Sequence, residues 1–237
     1  MFSTPKLRLL IVAAFICLGL SAMADTINIA VNTGSGSSYR LVTGSITTGS
    51  GTVTISITNA LSNADVISIA QNISAIYLRV DGYGGGAALD SSSSYDSINL
   101  FNHVGKSSGA QNPTAWIVQN NVNGWFGVCT ICVIGPQPGP DWTIIGGTVP
   151  YGGTAPYLHA NGSLNNNDPH NPFLSGVVEF TLTVPGVTAD SDILGYYIQF
   201  GTTPSPPTTV PDSSSYSLLL LSGLALAGTI VRKVRQP

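Results

Sequence analysis

The chain has 237 residues, of which 8% carry a charge, against roughly 25% in an ordinary soluble domain. Between Asp25 and Asp212 only Arg40, Arg79 and Lys106 stand against eleven acidic residues, a formal net charge of −8. Such a body repels nucleic acid and anionic lipid, so neither is expected as a partner of it. The scarcity of Lys and Glu also speaks against long surface helices.

In chain order, residues 1–24 follow the three-part plan of a secretory signal. Lys6 and Arg8 form its positive start, residues 9–20 (LLIVAAFICLGL) its apolar stretch, and Ala22-Met23-Ala24 its small-x-small end. Cleavage by signal peptidase is expected before Asp25. The apolar run is shorter than the about 20 residues that span a bilayer. Ile16 precedes Cys17 where a lipidated cysteine needs a small residue.

The segment 25–200 reads as one β-rich body. Residues 26–31 (TINIAV) and 52–58 (TVTISIT) alternate strictly, with Ile27, Ile29, Val31 and Val53, Ile55, Ile57 on single faces. Residues 74–80 and 177–184 alternate less strictly, and 193–200 is a candidate last strand. Gly/Ser/Asn clusters at 34–38, 49–51, 82–86 and 161–167 separate them. Residues 59–72 fit either a short helix or a loop. Period-two alternation between turn clusters is the pattern of antiparallel sheets with one wet face. Two such sheets packed face to face bury the apolar rows. The expected fold is all-β, a single antiparallel β-sandwich of jelly-roll type.

Four constellations invite a chemical reading. Cys129-Thr130-Ile131-Cys132 is the only cysteine pair of the body, and prolines rather than a helix follow it. A redox pair needs a helix N-terminus to hold its thiolate, so a structural disulfide is expected. Gly105-Lys106-Ser107-Ser108-Gly109 matches G-x-S-x-G, with His103, His159, His170 and Asp168 available on paper. A nucleophile elbow, however, needs a strand–turn–helix in a parallel sheet. The run 165–171 (NNNDPHN) offers calcium oxygen ligands around Asp168, but one carboxylate makes a thin site and Asx-rich turns form without metal. Trp116, Trp125 and Trp142 lie in a Gly/Pro-rich stretch and, if exposed, would stack on sugar rings; otherwise they pack a core. The loop 81–86 (DGYGGG) has no βαβ unit around it and reads as a glycine-rich connection. No cofactor is implied.

Residues 201–215 (GTTPSPPTTVPDSSS) form a Pro/Thr/Ser linker, expected to be extended. Residues 216–231 (YSLLLLSGLALAGTIV) are uncharged and mostly apolar, and Arg232, Lys233 and Arg235 follow in the tail 232–237. A transmembrane helix with a cytoplasmic basic end is expected, leaving the body outside. Val210-Pro211-Asp212, a small polar gap, an apolar helix and a terminal basic cluster, in this order, resemble the PEP-CTERM sorting signal of Gram-negative bacteria. Val210-Pro211-Asp212 stands where that family has Pro-Glu-Pro, and Asp212 keeps an acid after a proline. The resemblance covers about residues 210–236. It implies recognition by exosortase, a membrane-embedded transpeptidase, and delivery to the cell surface or an extracellular polymer matrix. Residues 52–59, 72–80 and 161–203 also resemble the bodies of other exported proteins with this sorting tail, which implies a β-sandwich and adds no reaction.

The leading functional expectation is therefore a non-enzymatic surface or matrix-associated interaction protein. The alternatives are a carbohydrate-binding sandwich and a secreted hydrolase. Mass spectrometry of the exported protein should find Asp25 as first residue; a chain retaining Met1 would contradict cleavage. Deleting residues 216–237 should release the body as soluble protein, and continued membrane retention would require another anchor.

Overall fold

A computed structural model describes residues 24–207 apart from Thr114 and Pro136. Ala22, the sorting tripeptide at 210–212, the apolar stretch 216–231 and the basic tail lie outside the described residues. The described chain is all-β, with eleven strands in two antiparallel sheets. No helix among the described residues is long and apolar enough to cross a membrane.

The strands are β1 (Thr26–Thr33), β2 (Arg40–Gly49), β3 (Thr52–Asn59), β4 (Ile73–Val80), β5 (Ala88–Phe101), β6 (Val104–Gln111), β7 (Ile117–Val122), β8 (Trp125–Cys129), β9 (Thr154–Pro156), β10 (Phe173–Thr183) and β11 (Ile193–Phe200). The larger sheet has seven strands in the order β1-β2-β3-β10-β5-β6-β9, and the smaller has four in the order β11-β4-β8-β7. The late strand β10 thus lies between β3 and β5 and pairs with both. Residues 59–72 form a loop that ends in one 3-10 turn, Ile69–Gln71.

The alternation in β3 does what its period demands. Val53, Ile55 and Ile57 are buried, while Thr52, Thr54, Ser56 and Thr58 stay partly exposed. The buried rows of the two sheets meet in one cluster, with Val178 and Phe180 from the large sheet and Ile76, Leu78, Phe126 and Val128 from the small. This is a sandwich-like core. Within the small sheet β4 and β8 approach closely at Gly127: a Cβ there would lie 2.0 Å from the Ile76 carbonyl oxygen of β4, so only glycine lets the two strands approach.

A second buried cluster sits at one end, around Ile98, Leu100, Phe173 and Tyr157. The Tyr157 hydroxyl donates to the Gly146 carbonyl at 3.1 Å. Burial first, then the negative charge of Asp96, push its phenol well above the usual tyrosine range. The neutral phenol is therefore favoured by folding, and this contribution is lost only as pH climbs above the ordinary tyrosine value of about 10.

The body keeps its contacts past Phe200. Gly201 donates its N–H to the Asn72 carbonyl, and Ser205 donates to Gln199 Oε1. The first residues of the expected linker are therefore held against the sandwich.

Phe180 is fully buried and its ring lies 4.8 Å from that of Trp116. Replacing Phe180 by Ala should cost about 3–5 kcal/mol in a denaturant titration. A loss below about 1 kcal/mol would show that the two sheets do not share this core.

Candidate functional site

The tryptophans expected to stack on sugars are packed inside. Trp116 is 2% and Trp125 3% exposed, and Trp142 is partly buried against the main core. The Trp116 indole donates to the Trp142 carbonyl at 2.9 Å, while the Trp125 ring faces Gly195 of β11. Buried rings offer no face to a sugar, so the stacking expectation is corrected for Trp116 and Trp125: Trp116 packs in the main core and Trp125 in a separate cluster with Tyr77 and the cysteines, while Trp142 is half-buried. Their burial follows from area, because burying an indole under loops gains more than any other side chain there could.

Cys129 and Cys132 form a disulfide and are both fully buried. The bridge closes the turn after β8, where Thr130 and Ile131 donate their N–H groups to the Ser74 carbonyl. A buried sulfur pair with no helix behind it is structural.

The G-x-S-x-G run lies within β6 and makes no elbow. Its glycines have local reasons. A Cβ on Gly105 would lie 2.5 Å from the Tyr157 ring, and Gly109 has φ +86° at an irregularity in the β5–β6 pairing. Ser107 Oγ accepts from the Gly152 N–H at 3.1 Å. Two of the three histidine rings are engaged elsewhere: His103 Nδ1 meets the Tyr157 carbonyl and His170 Nδ1 the Ser163 carbonyl, while His159 is exposed.

The Asn-rich run around Asp168 spends its oxygens on backbone. Asn165 Oδ1 accepts from His103 N–H, Asn166 Oδ1 from Asn102 N–H, and Asn171 Oδ1 from Leu100 N–H, all within 2.7–2.8 Å. Asn102 and His103 are the two residues at the β5–β6 turn, with φ +49° and +59°. The run thus clamps this hairpin tip. Asp168 itself is exposed. Among the described residues no cluster of three His, Cys, Asp or Glu could hold a metal ion.

Sequence reasoning missed a set of buried carboxamides. Gln71 Nε2 donates to the carbonyls of Gly36, Tyr39 and Asp65, and its Oε1 accepts from Ile67 and Ser68. Gln119 Oε1 accepts from the Tyr77 hydroxyl and Val133 N–H, and its Nε2 donates to the Ile134 carbonyl. Gln199 Nε2 donates to Ser74 Oγ and the Ile131 carbonyl. Asn120 ties both backbone groups of Ala87 and accepts from the Tyr83 hydroxyl. Asp96 was also missed. Its carboxylate is fully buried, with Oδ1 accepting from Ser97 and Gly109 N–H and Oδ2 left without a partner.

The surface feature with the most order is the outer face of the seven-stranded sheet. Register places Thr26, Thr47, Thr54, Thr181 and Ser91 side by side across five strands. The next row is Asn28, Ser45, Ser56, Glu179 and Ser93. Neighbours in a row lie about 4.8 Å apart and the rows about 7 Å apart. All ten residues are exposed or half-exposed, and Glu179 is the single charge among them. Tyr95 and Val177, 60% and 50% exposed, lie at its margin on β5 and β10.

Comparison with protein-family models, with curated proteins and with solved structures returns no match for this chain.

The Gln71 network predicts a measurable loss. Gln71→Ala removes the side-chain partner of the Asp65 carbonyl and of the Ile67 and Ser68 N–H groups, at about 1–3 kcal/mol for each that stays buried, while the Gly36 and Tyr39 carbonyls keep the Tyr39 N–H and Arg40 as donors. A denaturant midpoint unchanged by this substitution would remove Gln71 from the role given to it.

Proposed function

We propose that the chain is an exported, non-catalytic protein that works at the cell surface or in the extracellular matrix. Signal peptidase releases it before Asp25. The tail, with Val210-Pro211-Asp212, the apolar helix 216–231 and the basic residues Arg232, Lys233 and Arg235, is a PEP-CTERM-like signal for exosortase. The body is one sandwich of jelly-roll type, presented outside the membrane as an interaction module.

The observation that carries this reading is the ordered hydroxyl face with its single charge, Glu179. A neutral hydroxyl and amide surface exchanges hydrogen bonds with a neutral hydroxyl-rich polymer without stripping water from ions, a step that is costly for charged groups. Extracellular polysaccharide is the partner of that chemistry. Exposed Tyr95 beside the rows adds an aromatic face of the kind that the buried tryptophans do not offer. The placement of the chain ends also supports display. Asp25 lies beside the β10–β11 connection, and Gly201 bonds to Asn72 at the opposite end of β11. A tail leaving past Gly201 therefore departs from the end remote from Asp25.

Co-sedimentation tests the face directly. The purified full-length chain should sediment with insoluble neutral glucans or chitin, and raising the salt should not release it, because no ion pair is involved. Placing charges in the first row with Thr54→Asp and Thr181→Asp should reduce retention at least about tenfold, which is 1.4 kcal/mol, with the thermal midpoint measured in parallel. Failure of the native chain to sediment with any of these polymers, or equal retention of the charged variant, would overturn the assignment.

A further inference from the structure

Asp25 is expected to be the first residue after cleavage, and the structure has already built a place for it. Its backbone nitrogen lies 3.1 Å from the Ala189 carbonyl oxygen and 3.1 Å from Thr48 Oγ1. Its carbonyl accepts from Thr48 N–H at 2.9 Å, and its carboxylate Oδ2 accepts from Ile193 N–H at 3.1 Å. Thr48 is 1% exposed, and its hydroxyl sits within 3.4 Å of both the Asp25 and Ala189 carbonyls. Asp25 therefore joins the end of β2 to the β10–β11 connection.

In the uncleaved chain this nitrogen is an amide with one proton, shared between two acceptors. Hydrolysis of the Ala24–Asp25 bond changes that. Water supplies hydroxyl to the Ala24 carbonyl carbon and hydrogen to the Asp25 nitrogen, which takes up a further proton near neutral pH. The group becomes an ammonium with three donors, and its bonds become charge-assisted, roughly twice as strong as neutral ones. The charged groups on the segments packed around it favour this. Asp190 and Asp192 lie on the β10–β11 connection, and Asp81 donates its N–H to the Asp192 carbonyl. Asp25 adds its own carboxylate. Arg79, on β4 opposite Gly195, is the basic residue of this end, and β2 contributes the neutral Thr48.

We infer that the α-ammonium created by signal cleavage docks between Ala189 O and Thr48 Oγ1 as a structural cation, so that export processing itself tightens the fold. The inference rests on the processing reading, that cleavage falls before Asp25. A docked ammonium has its pKa raised above the ordinary α-amino value. Its contribution is therefore fully present below about pH 8 and is lost as pH rises through the raised value.

The test separates docking from processing. Residues 25–237 are released in vitro from a fusion partner by a protease that leaves Asp25 first. They are compared with the same chain carrying Gly-Ser ahead of Asp25, both in mild detergent. The chain beginning at Asp25 should melt higher by about 2–4 °C at pH 6, and the gap should close at alkaline pH. Thr48→Val, which removes one acceptor at nearly constant volume, should shrink the gap. Equal midpoints for the two termini at every pH would overturn docking even where secretion yields Asp25. A secreted chain whose first residue by mass spectrometry is not Asp25 would overturn the link to processing, whatever the in vitro pair shows.

Discussion

The structure depends on one constraint: its connections cross the ends of the sandwich with backbone groups that must be satisfied away from water. An unpaired buried N–H or C=O costs about as much as a lost hydrogen bond. The body carries few charges for its length, so carboxamides do much of it. An amide side chain both donates and accepts, and does so without the desolvation cost of an ion. Gln71 binds five backbone groups from two segments, 36–39 and 65–68, and Asn59 donates to the carbonyls of Gln71 and Ile144 while accepting from Leu61. Asn165, Asn166 and Asn171 hold the tip of one hairpin. The Asn and Gln that fill this sequence are thus the fasteners of its loops.

The same constraint explains why several chemical motifs come to nothing chemical. The serine of the G-x-S-x-G run takes backbone N–H bonds, His103 and His170 meet carbonyls, and the asparagine oxygens around Asp168 hold a turn. Each residue type that invited a mechanism is used to close backbone hydrogen bonds. Asp96, which no motif singled out, closes the Ser97 and Gly109 N–H groups with one oxygen and leaves the other without a partner. Its charge adds to burial in keeping the Tyr157 phenol neutral.

Legibility followed periodicity. β1 and β3 were readable because strict alternation maps one row towards the core and one to water; β10, which alternates less strictly, was legible only from 177 although it starts at Phe173. β5 was not, since its run of serines has little strand preference of its own; it is a strand because β10 and β6 flank it. β8 (WFGVC) is buried on both faces and therefore shows no alternation. The disulfide was legible from cysteine count and the prolines after it. The carboxamide fasteners were not, because Gln71 and its partners are joined by a fold and carry no local pattern. The hydroxyl face was half legible. Each row of Thr and Ser shows within its own strand, and only the register lines them up.

The position of β10 has a consequence for the order of events. It is the penultimate strand in the chain, yet it fills the slot between β3 and β5. Until residue 183 is available, the large sheet exists as two unjoined pieces, each with an open edge facing the other. Non-local pairing of this kind is slow, because distant segments must meet before any gain is made. A polypeptide threaded through a membrane channel N-terminus first would thus stay loose for most of its passage. It would lock only when β10 arrives.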